Sequence, residues 1–98
     1  MRVVWLAGAE ANLLHIIEYI ADDNVAAALS LARLIRGQAE QLSEPPTLFR
    51  KGRVRGTREM VVHPNYLVIY RVRARLKRVE ILRVLHTARQ WPPSSWHI

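Results

Sequence analysis

The residues with usable chemistry gather in the second half of the chain, where His86 ends an apolar run, Arg89 follows three positions later and Trp91 two beyond that. Arg58 stands second in an earlier run and Tyr66 heads the one between them. An imidazole at the end of a strand beside a basic tail can act as acid or base; in its structural role it hydrogen-bonds a neighbouring strand or turn. Arg58 and Arg89 can meet an anionic target or pair with Glu59 and Glu80, and the scarcity of acid in this half favours the target. Tyr66 and Tyr70 share a strand face, where core packing competes with a contact role. Trp91 and Trp96 can fold back over the sheet or offer an apolar contact to a partner. His15 and His63 read as surface or capping residues. Four scattered histidines without cysteine give no ligand spacing for a metal, and the lack of cysteine also removes disulfides and thiol nucleophiles.

These residues sit in a strongly polarised chain. From Met1 to Ser43 three basic residues face five acidic ones, a net of −2; from Glu44 to Ile98 twelve basic residues face three acidic ones, a net of +9. A basic half of this kind favours nucleic acid or an acidic protein segment, and its bland alternative is a solubilising surface. At 98 residues the chain suits one domain, residues 1–98, with one core. Met1 to Leu6 does not read as a secretory signal, and no apolar run approaches the ~20 residues that span a bilayer. A soluble, cytoplasmic protein without cofactor is expected.

The elements that must position the site follow from the apolar period. Arg2 to Leu6 is β-branched and aromatic and predicts a short first strand. Leu13, Ile16, Ile17 and Ile20 recur at helical spacing, with Leu14 and Ala21 widening the stripe, and predict a helix from about Ala9 to Ala21. Asn24 is a good N-cap for a second helix from Val25 to about Leu42, whose stripe is Ala28, Ala32, Ile35, Ala39 and Leu42. Its alanines let the first helix approach closely, and Pro45-Pro46 ends it. Thr47 to Gly56 reads as a mobile basic loop. Three strand-like runs follow, Thr57 to His63, Tyr66 to Val72 and Val79 to His86, separated by turns at Pro64-Asn65 and at Arg73 to Lys77. The middle run places Tyr66, Val68, Tyr70 and Val72 on one face and Leu67, Ile69 and Arg71 on the other. The expected architecture is α+β: an N-terminal strand and a helical hairpin packed on one face of an antiparallel sheet, with something else, such as a partner, on the other.

Three blocks then become specific: Gly56-Thr57-Arg58-Glu59; Pro64-Asn65-Tyr66-Leu67-Val68-Ile69-Tyr70-Arg71-Val72; and Val79 through Pro92 with its core Val84-Leu85-His86-Thr87-Ala88-Arg89. In order and spacing they resemble the RelE/ParE toxin superfamily, and Trp5, Ala11, Leu13, Ile16 and Tyr19-Ile20-Ala21 resemble that superfamily's first strand and helix. The resemblance covers nearly the whole chain. It implies a toxin paired with a cognate antitoxin whose C-terminal segment wraps it, with operator DNA reached only through that antitoxin.

The superfamily divides between RelE-like members, which cut messenger RNA on the ribosome, and ParE-like members, which poison DNA gyrase. Attack of a ribose 2′-hydroxyl on phosphate needs a base, an acid and cations for the developing charge. The resemblance implies that RelE-like toxins supply these from Lys, Arg and a C-terminal Tyr. With the central tyrosine laid on Tyr66, the basic positions fall on Arg58, Met60, Leu67 and Thr87, and no tyrosine follows Arg89. A His after the last strand and an Arg three residues on, here His86 and Arg89, resemble the ParE branch instead. The target-binding residues expected are therefore Arg58, Tyr66, His86, Arg89 and Trp91, with His86, Arg58 and Arg89 the candidates should catalysis occur. The expected function is ParE-like inhibition of gyrase; the alternatives are a RelE-like endoribonuclease and a catalytically inactive antitoxin-binding regulator.

Overall fold

The computed structural model describes residues 1–93, so the reading of Trp96 lies outside the described residues. The chain runs β1 (Arg2–Trp5), α1 (Ala7–Ala21), α2 (Val25–Glu40), β2 (Arg50–Lys51), β3 (Arg58–His63), β4 (Tyr66–Arg73) and β5 (Arg78–His86), with single 3-10 turns at Gln41–Ser43 and Ala74–Leu76. The strands form one sheet in the order β1-β5-β4-β3-β2. The three C-terminal strands make the expected meander, because turns this short can only join antiparallel neighbours. The sheet as a whole is mixed, because the N-terminal strand, whose place in the sheet the sequence left open, joins it in parallel. β1 lies parallel to β5, with Val3 opposite Val79 and Trp5 opposite Ile81, after the helical hairpin carries the chain across.

Both helices lay their apolar stripes on the same sheet face. Leu13, Ile35, Ala39 and Leu42 are buried there against Val68, Tyr70, Val79 and Ile81. The Asn24 side chain caps α2 by accepting from the Ala27 N–H at 3.0 Å. The helices are also clamped by Arg36, which donates twice to Glu10, at 3.1 and 2.8 Å, and lies 4.7 Å above the Trp5 ring. Leu14 departs from the expected stripe: it is 53% exposed, as are Tyr19 (79%) and Leu29 (48%), so the outer side of the hairpin carries uncovered apolar surface. No helix among the described residues is long and apolar enough to cross a membrane.

The segment read as a mobile loop is more ordered than expected. Arg50 and Lys51 pair with Glu59 and Arg58 as a two-residue edge strand. Glu59 causes this: its buried carboxylate accepts from Arg50 Nη2 and from the Arg53 backbone N–H, both at 3.0 Å. Gly52 completes the return, since its N–H donates to the Thr57 carbonyl at 2.7 Å and a Cβ there would collide with Thr57 Oγ1.

The sheet face away from the helices holds a second, smaller core of Leu67, Ile69, Leu85 and Trp91, flanked by Val54 and Leu82. The expected second cover is thus supplied in part by the chain itself.

Candidate functional site

The sheet register decides which candidate residues meet. Tyr66 faces His86 across β4–β5 and His63 across β3–β4. Its ring centroid lies 5.3 Å from His86, edge-on, and 5.8 Å from His63, so three rings form a row at one end of the sheet. Tyr66 therefore belongs to this row of rings and not to the sealed core that takes Tyr70, whose hydroxyl donates to the Pro46 carbonyl at 2.7 Å. Burial pushes the Tyr70 phenol above its usual range.

His86 is exposed, and its Nδ1 accepts the Ala88 N–H at 3.0 Å. His63 does the same for Asn65 at 3.1 Å. Each imidazole closes the turn after its strand, the structural role weighed above. Nδ1 as acceptor leaves the neutral ring protonated on Nε2, the nitrogen available to a target. The following turn is tied back by Thr87, whose N–H donates to the Asn65 carbonyl at 2.8 Å and whose hydroxyl donates to Pro64 at 3.2 Å.

Arg58 stands apart from this row. It is opposite Tyr70, four residues along β4 from Tyr66, or about 13 Å at ~3.3 Å per residue. Its Nη1 donates to the Phe49 carbonyl at 2.8 Å and the Thr47 carbonyl at 3.3 Å. Arg58 and Glu59 point to opposite faces, as successive strand residues must, and the alternative pairing between them does not form. Lys51, Arg55, Thr57 and Arg58 line a pocket of about 460 Å³ there. Met60, where the RelE comparison puts a second basic group, is sealed in the helix-side core, while Leu67 lies on the other face.

Arg89 and Trp91 do come together, with Asn12, Arg83 and Leu85, around a pocket of about 230 Å³. Trp91 is only 8% exposed, so of the two readings offered for it the structure takes the folded-back one. Arg53 Nη1 reaches its carbonyl at 3.4 Å, tying the β2–β3 hairpin to the C-terminal segment. Arg89 is exposed and forms no ion pair among the described residues; Glu80, weighed as an alternative partner for it, belongs to Arg71, Arg73 and Arg78. A second groove on this face, about 320 Å³, runs between Val54, Leu82 and Trp91 and carries Arg55, Arg71 and Arg83 on its walls.

Asn12 escaped the sequence reading, and so did the partners of Glu80. Asn12 Oδ1 accepts the Val84 N–H at 3.1 Å, at the point where β1 has ended and β5 is left without a neighbour on that side. Glu80, 1% exposed, gathers three guanidiniums, and the hydrogen bond from Arg71 foremost holds its carboxyl below the usual range against the effect of burial. The sequence shows a charge at position 80; its partners depend on cross-strand register.

Comparison with known proteins agrees with the fold. The chain is 36% identical over 92 residues to the Y4kP protein of Sinorhizobium fredii, covering 93% of each chain. It is 37% identical over 90 residues to Toxin RelE2 of Caulobacter vibrioides, covering 90% of this chain and 97% of that one. Its fold matches the chromosomal ParDE system of P. aeruginosa with a TM-score of 0.77 at 24% identity, over 88% of this chain and 95% of that one. It matches the RelBE2 complex of Mycobacterium tuberculosis with a TM-score of 0.60 at 22% identity, over 90% and 92%. The family model for the ParE toxin of type II toxin–antitoxin systems spans residues 3–91, and on that match the chain belongs to the ParE toxin family.

Proposed function

We propose that this toxin acts on DNA gyrase through surface contacts, without breaking a bond itself, and that a cognate antitoxin neutralises it. The observation that carries this reading is the dispersal of the groups an RNA-cleaving site would need. Arg58 is held by loop carbonyls about 13 Å along the sheet from Tyr66, position 60 is a buried methionine, and His86 spends Nδ1 on its own turn. General acid–base cleavage needs such groups converging on one phosphate. A contact mechanism needs only an accessible surface, and the His63–Tyr66–His86 row with the exposed Arg89 beyond it offers one. The antitoxin is supported by the solved relatives, which are toxin–antitoxin systems.

The second reading, a ribosome-dependent endoribonuclease, draws on the likeness to a protein named RelE2. Inducing the toxin alone and measuring DNA breaks and messenger RNA cleavage separately tells them apart. The expected result is accumulated gyrase-linked breaks with intact message. Arg89→Ala should relieve toxicity, since arginine is a common energetic anchor of interfaces. His86→Gln should be mild, because a side-chain acceptor of similar reach can be kept without proton transfer. Cut message, intact DNA and a His86→Gln variant that is folded but harmless would replace this reading with the nuclease, where losing an acid or base costs ~100- to 10,000-fold in rate.

A further inference from the structure

We infer that Arg2, Arg73 and Arg78, at the opposite end of the sheet from the His63–Tyr66–His86 row, form a binding site for the phosphate backbone of a nucleic acid. The inference goes beyond the choice of target and needs neither gyrase nor the ribosome.

The register puts the three arginines in one line. Arg2 on β1 is directly opposite Arg78 on β5, and Arg78 is directly opposite Arg73 on β4. Directly opposed residues share a sheet face, and this face is the one away from the helices, because Val79 beside Arg78 lies in the helix-side core. Like charges placed directly opposite oppose folding. The row is therefore an arrangement that the sheet tolerates and does not itself need.

The carboxylate nearby is too small a counterweight. Glu80 gives Oε1 to Arg71 at 2.5 Å and Oε2 to Arg78 at 2.6 Å, which leaves Arg73 at a distant 3.7 Å. Arg2 has no ion pair among the described residues, and Arg78 Nε is buried without a hydrogen-bond partner among them. Three guanidiniums thus share one carboxylate while Arg2 has none, and Arg75 and Lys77 in the adjoining turn add two further cations.

The chemistry of the surroundings selects the ligand. A guanidinium is a planar fork that fits phosphate oxygens two at a time. A row across three strands spans about 10 Å, over which duplex DNA presents roughly six charges at one per ~1.7 Å. An acidic peptide would also need apolar anchors; the Val54–Leu82–Trp91 groove is bounded by none of these three arginines, and the pocket of about 360 Å³ formed by Val72, Ala74 and Leu76 is bounded by Arg73 and Arg75 but by neither Arg2 nor Arg78. No aromatic side chain among the described residues stands in the row, so bases have nothing to stack on there and contact is with the backbone, without sequence preference.

The test is fluorescence anisotropy of the full chain with a random duplex of about 20 base pairs, a random RNA strand of similar length, and an acidic peptide of matched charge. Affinity for the duplex should fall with salt by close to three powers, at ~0.9 per phosphate contacted. Arg2→Gln/Arg73→Gln should remove about two of those powers and weaken binding at least ~10-fold at ~50 mM salt. Arg33→Gln/Lys51→Gln, which removes the same charge elsewhere, should leave the slope nearly unchanged. Retained circular dichroism and melting temperature establish that each variant is folded. Preference for the duplex or for the RNA decides the source of the phosphate and supports the site either way. Equal loss in both double variants, or no loss in either, would overturn it in favour of the general field of the molecule. Tighter binding of the acidic peptide, lost in the row variant, would overturn it in favour of a protein ligand.

Discussion

Residue by residue, the most heavily committed side chain is Glu80, not any candidate for chemistry. Its carboxylate is buried at the centre of Arg71, Arg73 and Arg78, each of which is still 31–43% exposed along its side chain. Removing it would leave three cations able to turn toward water, so the cost should be below that of breaking a fully buried pair. Glu80→Ala is expected to cost about 2–3 kcal/mol against the ~3–5 typical of a sealed pair, measured by urea denaturation. The folded carboxyl is held below its unfolded value, chiefly by Arg71. Its stabilisation is therefore complete above the unfolded value of ~4.3 and is lost as pH falls from there through the folded value. Wild type should lose stability over that acid window more steeply than Glu80→Gln; parallel profiles for the two proteins would refute the assignment. At this scale the sequence named the participants and missed their pairings. Arg58, Glu59, Glu80 and Arg89 were all visible, yet the two carboxylates serve arginines at 50, 53, 71, 73 and 78, because partners are chosen by strand register and face. Trp91 was legible as a large apolar group, and only the fold could put it under the sheet.

Between elements, the fold depends on how α1 meets β5. β1 ends at Trp5 and pairs only as far as Ile81, so the continuing β5 backbone faces a helix that has no donors or acceptors to spare. Asn12 supplies the missing acceptor to Val84. Asn12→Ala should cost about 1–2 kcal/mol, the penalty of a partly buried N–H left unpaired, and should speed hydrogen exchange at Val84 selectively. An unaltered exchange rate there would mean that water already serves that group. The helices, their Asn24 cap and the meander were legible because each rests on a local period or turn. β2 and the parallel β1–β5 pairing were not. A two-residue strand has no period, and β2 exists because Glu59 draws Arg50 and Arg53 toward the sheet. Pairing between the first and last strands links segments with no neighbouring sequence signal.

Across the whole molecule, much of the uncovered apolar surface lies on the helical layer, with Leu48, Val61 and Leu76 exposed elsewhere, while most of the charge lies with the sheet. The helical hairpin belongs to the half with a net charge of −2 and exposes Leu14, Tyr19 and Leu29, while the sheet belongs largely to the half with a net charge of +9. An antitoxin that covers the apolar surface and also meets the charge must pass from one layer to the other, which suits an extended segment better than a compact docking domain. The cationic layer should set how fast such a segment arrives, and the apolar layer how long it stays. Raising salt shortens the Debye length from ~10 Å at 0.1 M to ~3 Å at 1 M, which removes steering and leaves apolar contacts intact. Stopped-flow association with the antitoxin should therefore slow at least ~10-fold over that range, while dissociation changes little. Leu14→Ser with Leu29→Ser should do the opposite, raising the dissociation rate and sparing association. A salt-independent association rate would remove the electrostatic half of this account, and unchanged dissociation in the serine variant would remove the apolar half.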